Sequence, residues 1–122
     1  MTRLPYQKLQ IWQKGMKLTQ AVYAVTKLLP PDERYGLVSQ MNRAAVSVPS
    51  NIAEGSQRTT TKDISHYIRI AKGSLIELET QALLCRELFA TCNDEIMIPL
   101  LTDIQELKKM ISGFQKSLVS SK

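Results

Sequence analysis

The stretch that decides how this chain folds is residues 43–55, which read Arg-Ala-Ala-Val-Ser-Val-Pro-Ser-Asn-Ile-Ala-Glu-Gly. Apolar positions recur at helical spacing on both sides of the proline, which predicts a helix. Pro49 removes the amide that would bond to the Ala45 carbonyl oxygen, so we expect a kink there. Gly55 is typical of a helix C-terminus. The short polar side chains that can bond to the freed backbone groups are Ser47, Ser50 and Asn51.

The flanking sequence continues this helical periodicity in both directions. Apolar residues at spacings of three and four predict four helices, at about residues 6–29, 33–55, 61–90 and 95–119. Pro30-Pro31 ends the first helix, and Thr60 caps the third. No segment shows the alternation with a period of two that is typical of a strand. We therefore expect an all-α, antiparallel up-down four-helix bundle that forms one domain over residues 1–122.

The first helix carries a second apolar stripe. Trp12, Met16 and Tyr23 lie about 100–140° around the helix from its main apolar face. A monomeric bundle needs only one apolar face per helix, so this stripe indicates either a wider core or a subunit interface. Gly73 interrupts the predicted third helix at a cost of about 1 kcal/mol relative to alanine. A close helix crossing at Gly73 would offset that cost.

The positive charge of the chain is concentrated in its first half. Residues 1–61 hold eight basic and three acidic residues, whereas residues 62–122 hold eight of each, for a net charge of +5. A one-sided basic excess indicates an anionic partner, nucleic acid first among them, with a merely solvated surface as the alternative. Arg43 is also a candidate for a buried structural ion pair. The candidate nucleic-acid-binding residues are Lys14, Lys17, Lys27, Arg34, Arg43, Arg58 and Lys62.

The sequence contains few residues of the types that bind metals or act as nucleophiles. The single histidine, His66, has no metal-ligand neighbours at helical spacing, so we expect it at the surface, and we expect no metal and no cofactor. Cys85 falls on an apolar face, whereas Cys92 falls in a loop where it could be exposed. Phosphate loops and nucleophile motifs are absent, which predicts a protein that is not an enzyme. Without a signal peptide or a membrane span, we expect a cytoplasmic protein with reduced thiols and no membrane partner.

Residues 43–55 also make the sequence recognisable. Together with the run Ile70–Glu79 downstream and Leu9-Gln10-Ile11-Trp12-Gln13 near the start, they resemble the 23S rRNA intervening sequence proteins. The resemblance extends from about Tyr6 to Leu118. The motif positions are Arg43, Ser47, Pro49, Asn51, Glu54 and Gly55.

The resemblance implies a small bacterial four-helix bundle that assembles as a ring, typically a homopentamer. Some members are encoded inside insertions in 23S rRNA genes. A related group, the accessory variability determinants of diversity-generating retroelements, is similar in fold, and its basic rings bind nucleic acid and a reverse transcriptase. The family has no assigned catalytic residues, so the resemblance implies none here.

Three hypotheses for the function follow. The first is a non-catalytic, ring-forming protein that binds RNA or DNA through the basic residues of its first half, mainly by phosphate contacts. The second is a protein-interaction accessory subunit, for example of a retroelement reverse transcriptase. The third is a structural ring whose positive charge is incidental.

Overall fold

The computed structural model describes residues 5–120, so the first four residues, which bear on the signal-peptide expectation, lie outside the described range. Four α-helices make up most of the described residues, and these residues contain no strand. The all-α prediction is therefore confirmed. The helices are α1 (Gln10–Thr26), α2 (Ser39–Ser56), α3 (Thr61–Leu88) and α4 (Asp94–Ser120).

Each helix runs antiparallel to its neighbours. Between α1 and α2, Thr26 bonds to Asn42 while Gly15, near the other end of α1, lies against Pro49. Gly55 near the end of α2 lies against Tyr67 near the start of α3, while Ser47, earlier in α2, meets Ser74. Arg86 near the end of α3 pairs with Asp94 at the start of α4, while Lys72 bonds to Ser112. Thr91, just before α4, bonds to Leu28, just after α1, while Lys14 pairs with Asp103. Short connections between the helices produce this up-down order.

The core lies along the axis of the bundle and receives large apolar side chains from all four helices. These side chains recur at spacings of three and four, so each helix turns one face inward. Fully buried members include Val22, Met41, Ile52, Leu75, Leu78, Ile104 and Ile111.

The connection between α1 and α2 is longer than the sequence predicts. Helix α1 ends at Thr26, and the last amides before Pro30 bond only three residues back, because a residue that precedes proline is disfavoured in the α region. A 3₁₀ turn (Pro31–Glu33) and a π-helical turn (Arg34–Val38) follow, so α2 begins at Ser39 and not at residue 33. Gly36 leaves the helical conformation there, with φ −110° and ψ −109°.

Helix α2 continues through Pro49, and the group that the proline frees finds its partner on another helix. Thr19 Oγ1 of α1 lies 3.0 Å from the Ala45 carbonyl oxygen and 2.9 Å from the Gly15 carbonyl oxygen, so its single hydrogen can satisfy either of them. Gly15 lies against Pro49 at this crossing, where a Cβ built on Gly15 would be in van der Waals contact with Pro49 Cβ at 3.4 Å. The sequence predicts instead that polar residues of α2 itself bond to the freed carbonyl group.

The short polar side chains of α2 link it to α3 instead. Asn51 Nδ2 donates to the Ser47 carbonyl oxygen at 2.8 Å and to Ser47 Oγ at 2.9 Å. Ser47 Oγ in turn lies 2.8 Å from Ser74 Oγ of α3. Hydrogen bonds of this kind fix the register of two helices as well as satisfying partly buried polar atoms.

Two glycines differ from their expected roles. A Cβ built on Gly55 would lie 3.0 Å from Tyr67 Cβ and 3.3 Å from the Ile64 carbonyl oxygen, so Gly55 serves the close approach of α2 and α3. Its φ is not positive, so it is not a left-handed cap. A Cβ built on Gly73 would meet nothing within 4 Å outside its own stretch of backbone, so none of the other described helices crosses α3 closely there.

The Thr19 bond predicts a coupling that a double-mutant cycle in urea can measure. Thr19→Val should cost about 1–2 kcal/mol of unfolding free energy, because the buried Ala45 carbonyl oxygen loses its partner. In a Pro49→Ala background the restored amide bonds to that oxygen, so Thr19→Val should cost clearly less.

Thr102, an exposed threonine of α4, provides the control. Thr102→Val should change stability by less than about 0.5 kcal/mol. An equal cost of Thr19→Val in both backgrounds would show that the Thr19 bond does not replace the missing amide.

Candidate nucleic-acid interface

A groove of about 630 Å³ opens where α1 ends and α2 begins. It forms because the chain leaves the helical ladder in this connection, so the turn residues stand away from the core instead of continuing a helix. We call it the end groove. The side chains that give it chemical character are Tyr23, Thr26, Lys27, Arg34, Tyr35 and Asn42.

Two tyrosines of the end groove are unusually exposed for aromatic residues. Tyr35 is 88% exposed and projects from the π-helical turn, and Tyr23 of α1 is 43% exposed. Neither hydroxyl has a hydrogen-bond partner among residues 5–120. Folding leaves much of each ring open to solvent, so the rings are available to a ligand.

Asn42 presents a free donor to the end groove. Thr26 Oγ1 lies 3.0 Å from Asn42 Oδ1 and donates to it, or to the Tyr23 carbonyl oxygen at 3.1 Å. Because Thr26 is buried, a bond from its hydroxyl restricts the orientation of the Asn42 side-chain amide. The Asn42 amide nitrogen has no partner within the described part of the chain, so it remains able to donate.

The charge of the end groove is positive. Lys27 and Arg34 line it, both are exposed, and neither forms an ion pair with any described residue. The lining contains no carboxylate. The neighbouring Glu33 accepts a hydrogen bond from the Leu37 amide at 3.4 Å, which holds its carboxylate against the backbone of the turn.

Lys14 is not available in the way the sequence suggested. Its ammonium lies 3.1 Å from Asp103 and 3.4 Å from Glu106, on the side of α1 that faces α4. The hydrogen bond to Asp103 raises the pKa of Lys14 above its usual value. The charge is therefore already matched within the bundle, and Lys14 connects two helices.

The other predicted cations fall into two environments. Arg58 donates to Glu54 at 3.1 Å and to the Tyr67 hydroxyl at 3.0 Å, and its guanidinium lies 4.8 Å from the centre of the Tyr67 ring, so it is also engaged. Lys62 is exposed nearby, at the start of α3, which is the opposite end of the bundle from the end groove. Lys17 is exposed on α1 and lines a separate groove with Trp12.

Arg43 is exposed, and it has no ion-pair partner among residues 5–120. The structural ion pair considered for it is absent from these residues, and Glu54 pairs with Arg58 instead. Arg43 follows Asn42 directly in α2, near the end groove in sequence. Of the charged family-motif residues, Arg43 is therefore the one without an ion-pair partner among residues 5–120. The motif residues Ser47, Pro49, Asn51 and Gly55 make the packing contacts described above.

Sequence reasoning missed Tyr35 and Asn42 and placed Tyr23 only in an apolar stripe. Tyr35 carried one signal, an aromatic residue between Pro31 and Gly36, two residue types that disfavour a continuous helix. Asn42 carried none, because a polar residue on an amphipathic helix is ordinary at the surface.

Cys85 and Cys92 are both buried, with Cys92 only 1% exposed, so the expectation of an exposed Cys92 is wrong. Burial raises the pKa of the Cys85 thiol to about 12, and the adjacent Cys92 thiol adds to the shift. Cys85 Sγ also lies 3.3 Å from Met41 Sδ. A thiol in this setting stays protonated and unreactive at neutral pH.

His66 is exposed and contacts the Tyr67 ring edge-on, at 5.1 Å between ring centres. Residues 5–120 contain no group of three or more His, Cys, Asp or Glu side chains that could hold a metal ion. None of the helices described is both long and apolar enough to cross a membrane.

The antiparallel arrangement defines the class of protein, an all-α four-helix bundle. Within that class, residues 7–113 match the 23S rRNA-intervening sequence protein family, and the chain belongs to that family. No match among curated proteins is found.

Among solved structures, the fold is similar to a crystal structure from Bacteroides thetaiotaomicron, described as a protein of unknown function from the S23 ribosomal protein family. The TM-score is 0.79 at 20% sequence identity, and the alignment covers 87% of this chain and 98% of that chain. At this identity the likeness supports the fold alone.

The buried thiols predict resistance to alkylation in the folded protein. At about pH 8, iodoacetamide should label neither cysteine of the native chain within minutes, and both in denaturant, as measured by mass spectrometry. A Cys92→Ser variant isolates Cys85, whose buried thiol should remain unlabelled at this pH until the chain unfolds. Rapid labelling of native Cys92 would contradict its burial.

Proposed function

We propose that this protein is a non-catalytic, cytoplasmic, ring-forming protein that binds RNA or DNA through basic surface residues. The observation that supports this most is the end groove, where two unpaired cations stand beside two exposed tyrosines without a carboxylate. Phosphate is the natural partner for such cations, because Lys and Arg supply most of the affinity for nucleic-acid backbones. The basic net charge adds long-range attraction.

The cations assigned to binding are those that the bundle leaves unpaired. Lys27 and Arg34 in the end groove come first, followed by Arg43, Lys17 and Lys62. Lys14 and Arg58 are set aside, because a phosphate would have to compete with carboxylates that already hold them. No group on this surface discriminates between bases by a known motif, so phosphate contacts dominate the proposal.

Self-assembly is the second part of the proposal. Helix α3 turns a row of exposed apolar side chains away from the core, and Gly73 lies between the first two of them, Ile70 and Ile76, with open space above it. A glycine that weakens a long helix, with no other described helix packed against it, is accounted for if another chain packs closely there. The exposed apolar residues of this row are Ile70, Ile76, Leu83, Leu84 and Leu88.

A different apolar surface lies along α1 and α2, where Met16 and Val46 are exposed and line, with Trp12, a groove that shares no lining residue with the end groove. Two unlike apolar surfaces on one chain favour head-to-tail contacts, and head-to-tail contacts close into rings. We take the homopentamer from the family resemblance. Five copies would carry a formal charge of +25, which would concentrate the attraction for nucleic acid.

The second candidate function is an accessory subunit for another protein, for example a reverse transcriptase. The apolar row of α3 favours this candidate, because a protein of different sequence could cover it as well as a second copy. The two candidates differ in what the purified protein does alone. A ring protein assembles without a partner, whereas an accessory subunit leaves the row uncovered.

Removing the charge of the end groove should weaken nucleic-acid binding. In fluorescence anisotropy with a labelled RNA, the double variant Lys27→Gln/Arg34→Gln should lower affinity at least tenfold at about 0.1 M salt, because each cation lost removes a phosphate contact. The slope of log affinity against log salt should fall by about two.

The matched control is Lys109→Gln/Lys116→Gln, which removes the same charge from exposed positions of α4. It should change affinity by less than the end-groove pair. Flat titrations of the unaltered protein at low salt would refute nucleic-acid binding, and equal losses in the two double variants would refute a localised site.

Assembly through α3 should be sensitive to charge at Gly73. Light scattering of the unaltered protein should give the mass of five 13.8 kDa chains, and Gly73→Glu should shift the protein to smaller species. The change should not unfold the bundle, because the position is open and glutamate is the better helix former.

Gly113 of α4 is the natural control, since it is also exposed and also has open space around it. Gly113→Glu should leave the assembled mass unchanged. A monomeric unaltered protein would refute the ring, and an assembled Gly73→Glu variant would exclude the α3 row as the interface.

A further inference from the structure

We propose that the end groove holds an unstacked base, so that its ligand is single-stranded nucleic acid and not a duplex. This inference rests on the proposed nucleic-acid binding and specifies the class of ligand. It is carried by the combination of exposed aromatic rings, an unused hydrogen-bond donor and two cations around one groove.

The aromatic residues argue against a duplex as the ligand. Phosphate binding alone needs cations and offers nothing to a tyrosine ring. In a duplex the flat faces of the bases are covered by stacking, whereas a single strand can place a base against an aromatic side chain. Tyr35, which is 88% exposed on a turn that holds it away from the core, has the exposure that stacking requires.

Asn42 extends the argument from stacking to hydrogen bonding. Its carbonyl oxygen lies 3.0 Å from Thr26 Oγ1, whereas its amide nitrogen has no partner among the described residues and is the group left to act. A donor fits the carbonyl oxygens and ring nitrogens on base edges as well as phosphate oxygens, and base edges become accessible only when the strand is unpaired. The bond from buried Thr26 fixes the direction of this donor before a ligand arrives.

The cations would then follow the backbone of the same strand. Lys27 belongs to the end of α1 and Arg34 to the π-helical turn, so both line one groove from different segments. No carboxylate lines the groove to repel phosphate. A volume of about 630 Å³ lies within the range of small-ligand sites, which suits one or two nucleotides more than the width of a duplex.

The test compares three labelled probes by anisotropy at about 0.1 M salt: a short single-stranded DNA, its duplex, and the same strand without bases. The unaltered protein should bind the single strand at least tenfold tighter than the abasic strand, since stacking on one aromatic is worth about tenfold per base. It should also prefer the single strand to the duplex, although the duplex carries more phosphate.

Variants of Tyr35 assign the effect to the end groove. Tyr35→Ala should lower affinity for the single strand about tenfold and reduce its advantage over the abasic strand. Tyr35→Phe should restore binding, whereas Tyr35→Leu, apolar but without a flat ring, should not. Circular dichroism should show all three folded, because this side chain makes little contact with the core.

The outcomes separate the inference from the proposed function. Equal affinity for single strand, abasic strand and duplex would overturn the inference while leaving phosphate binding intact. A preference for single strands that survives Tyr35→Ala would also overturn it, by placing the base elsewhere. Failure of all three probes to bind would overturn the proposed function and the inference together.

Discussion

The bundle depends on how α1 and α2 satisfy a carbonyl group that a proline has left without its amide. Pro49 is buried in the middle of α2, and water cannot reach the Ala45 carbonyl oxygen easily, since Ala45 is only 1% exposed. Thr19 Oγ1 lies 3.0 Å from that oxygen and can supply the missing donor, with Gly15 packed directly against Pro49 one turn away on α1. A proline that usually interrupts a helix therefore sets the position of α1 on α2.

That position determines the end groove. With Gly15 against Pro49, the antiparallel geometry brings Thr26 opposite Asn42, where the two side chains bond at 3.0 Å. Beyond that contact both helices end, and the chain must reverse through residues 27–38. Two prolines and the non-helical Gly36 keep this reversal from becoming more helix. The groove is thus a consequence of packing deeper in the bundle.

The sequence predicted the four helices because each one repeats its apolar residues over many turns, a signal that survives small errors in phase. It also predicted that Pro49 leaves the Ala45 carbonyl oxygen without its amide, but not that Thr19 is its partner, because Thr19 lies thirty residues away and a hydroxyl gives no periodic signal. The same limit applies to the charges. Lys14 and Lys27 look alike in sequence, and only the position of α4 shows that Asp103 has already paired with Lys14.

The unpaired cations and the exposed apolar residues lie on different parts of the surface, which favours separate regions for nucleic-acid binding and for self-assembly. The cations left unpaired near the end groove lie on α1, on the turn and on α2, whereas the apolar row that surrounds Gly73 lies on α3. If copies of the chain meet through the α3 row, assembly does not have to consume the end groove. Each added copy would bring another groove to the same strand, and linked sites bind more tightly than one alone. A single bundle that contacts mainly phosphates would bind nucleic acid weakly, whereas a ring of such bundles would in that way bind it tightly.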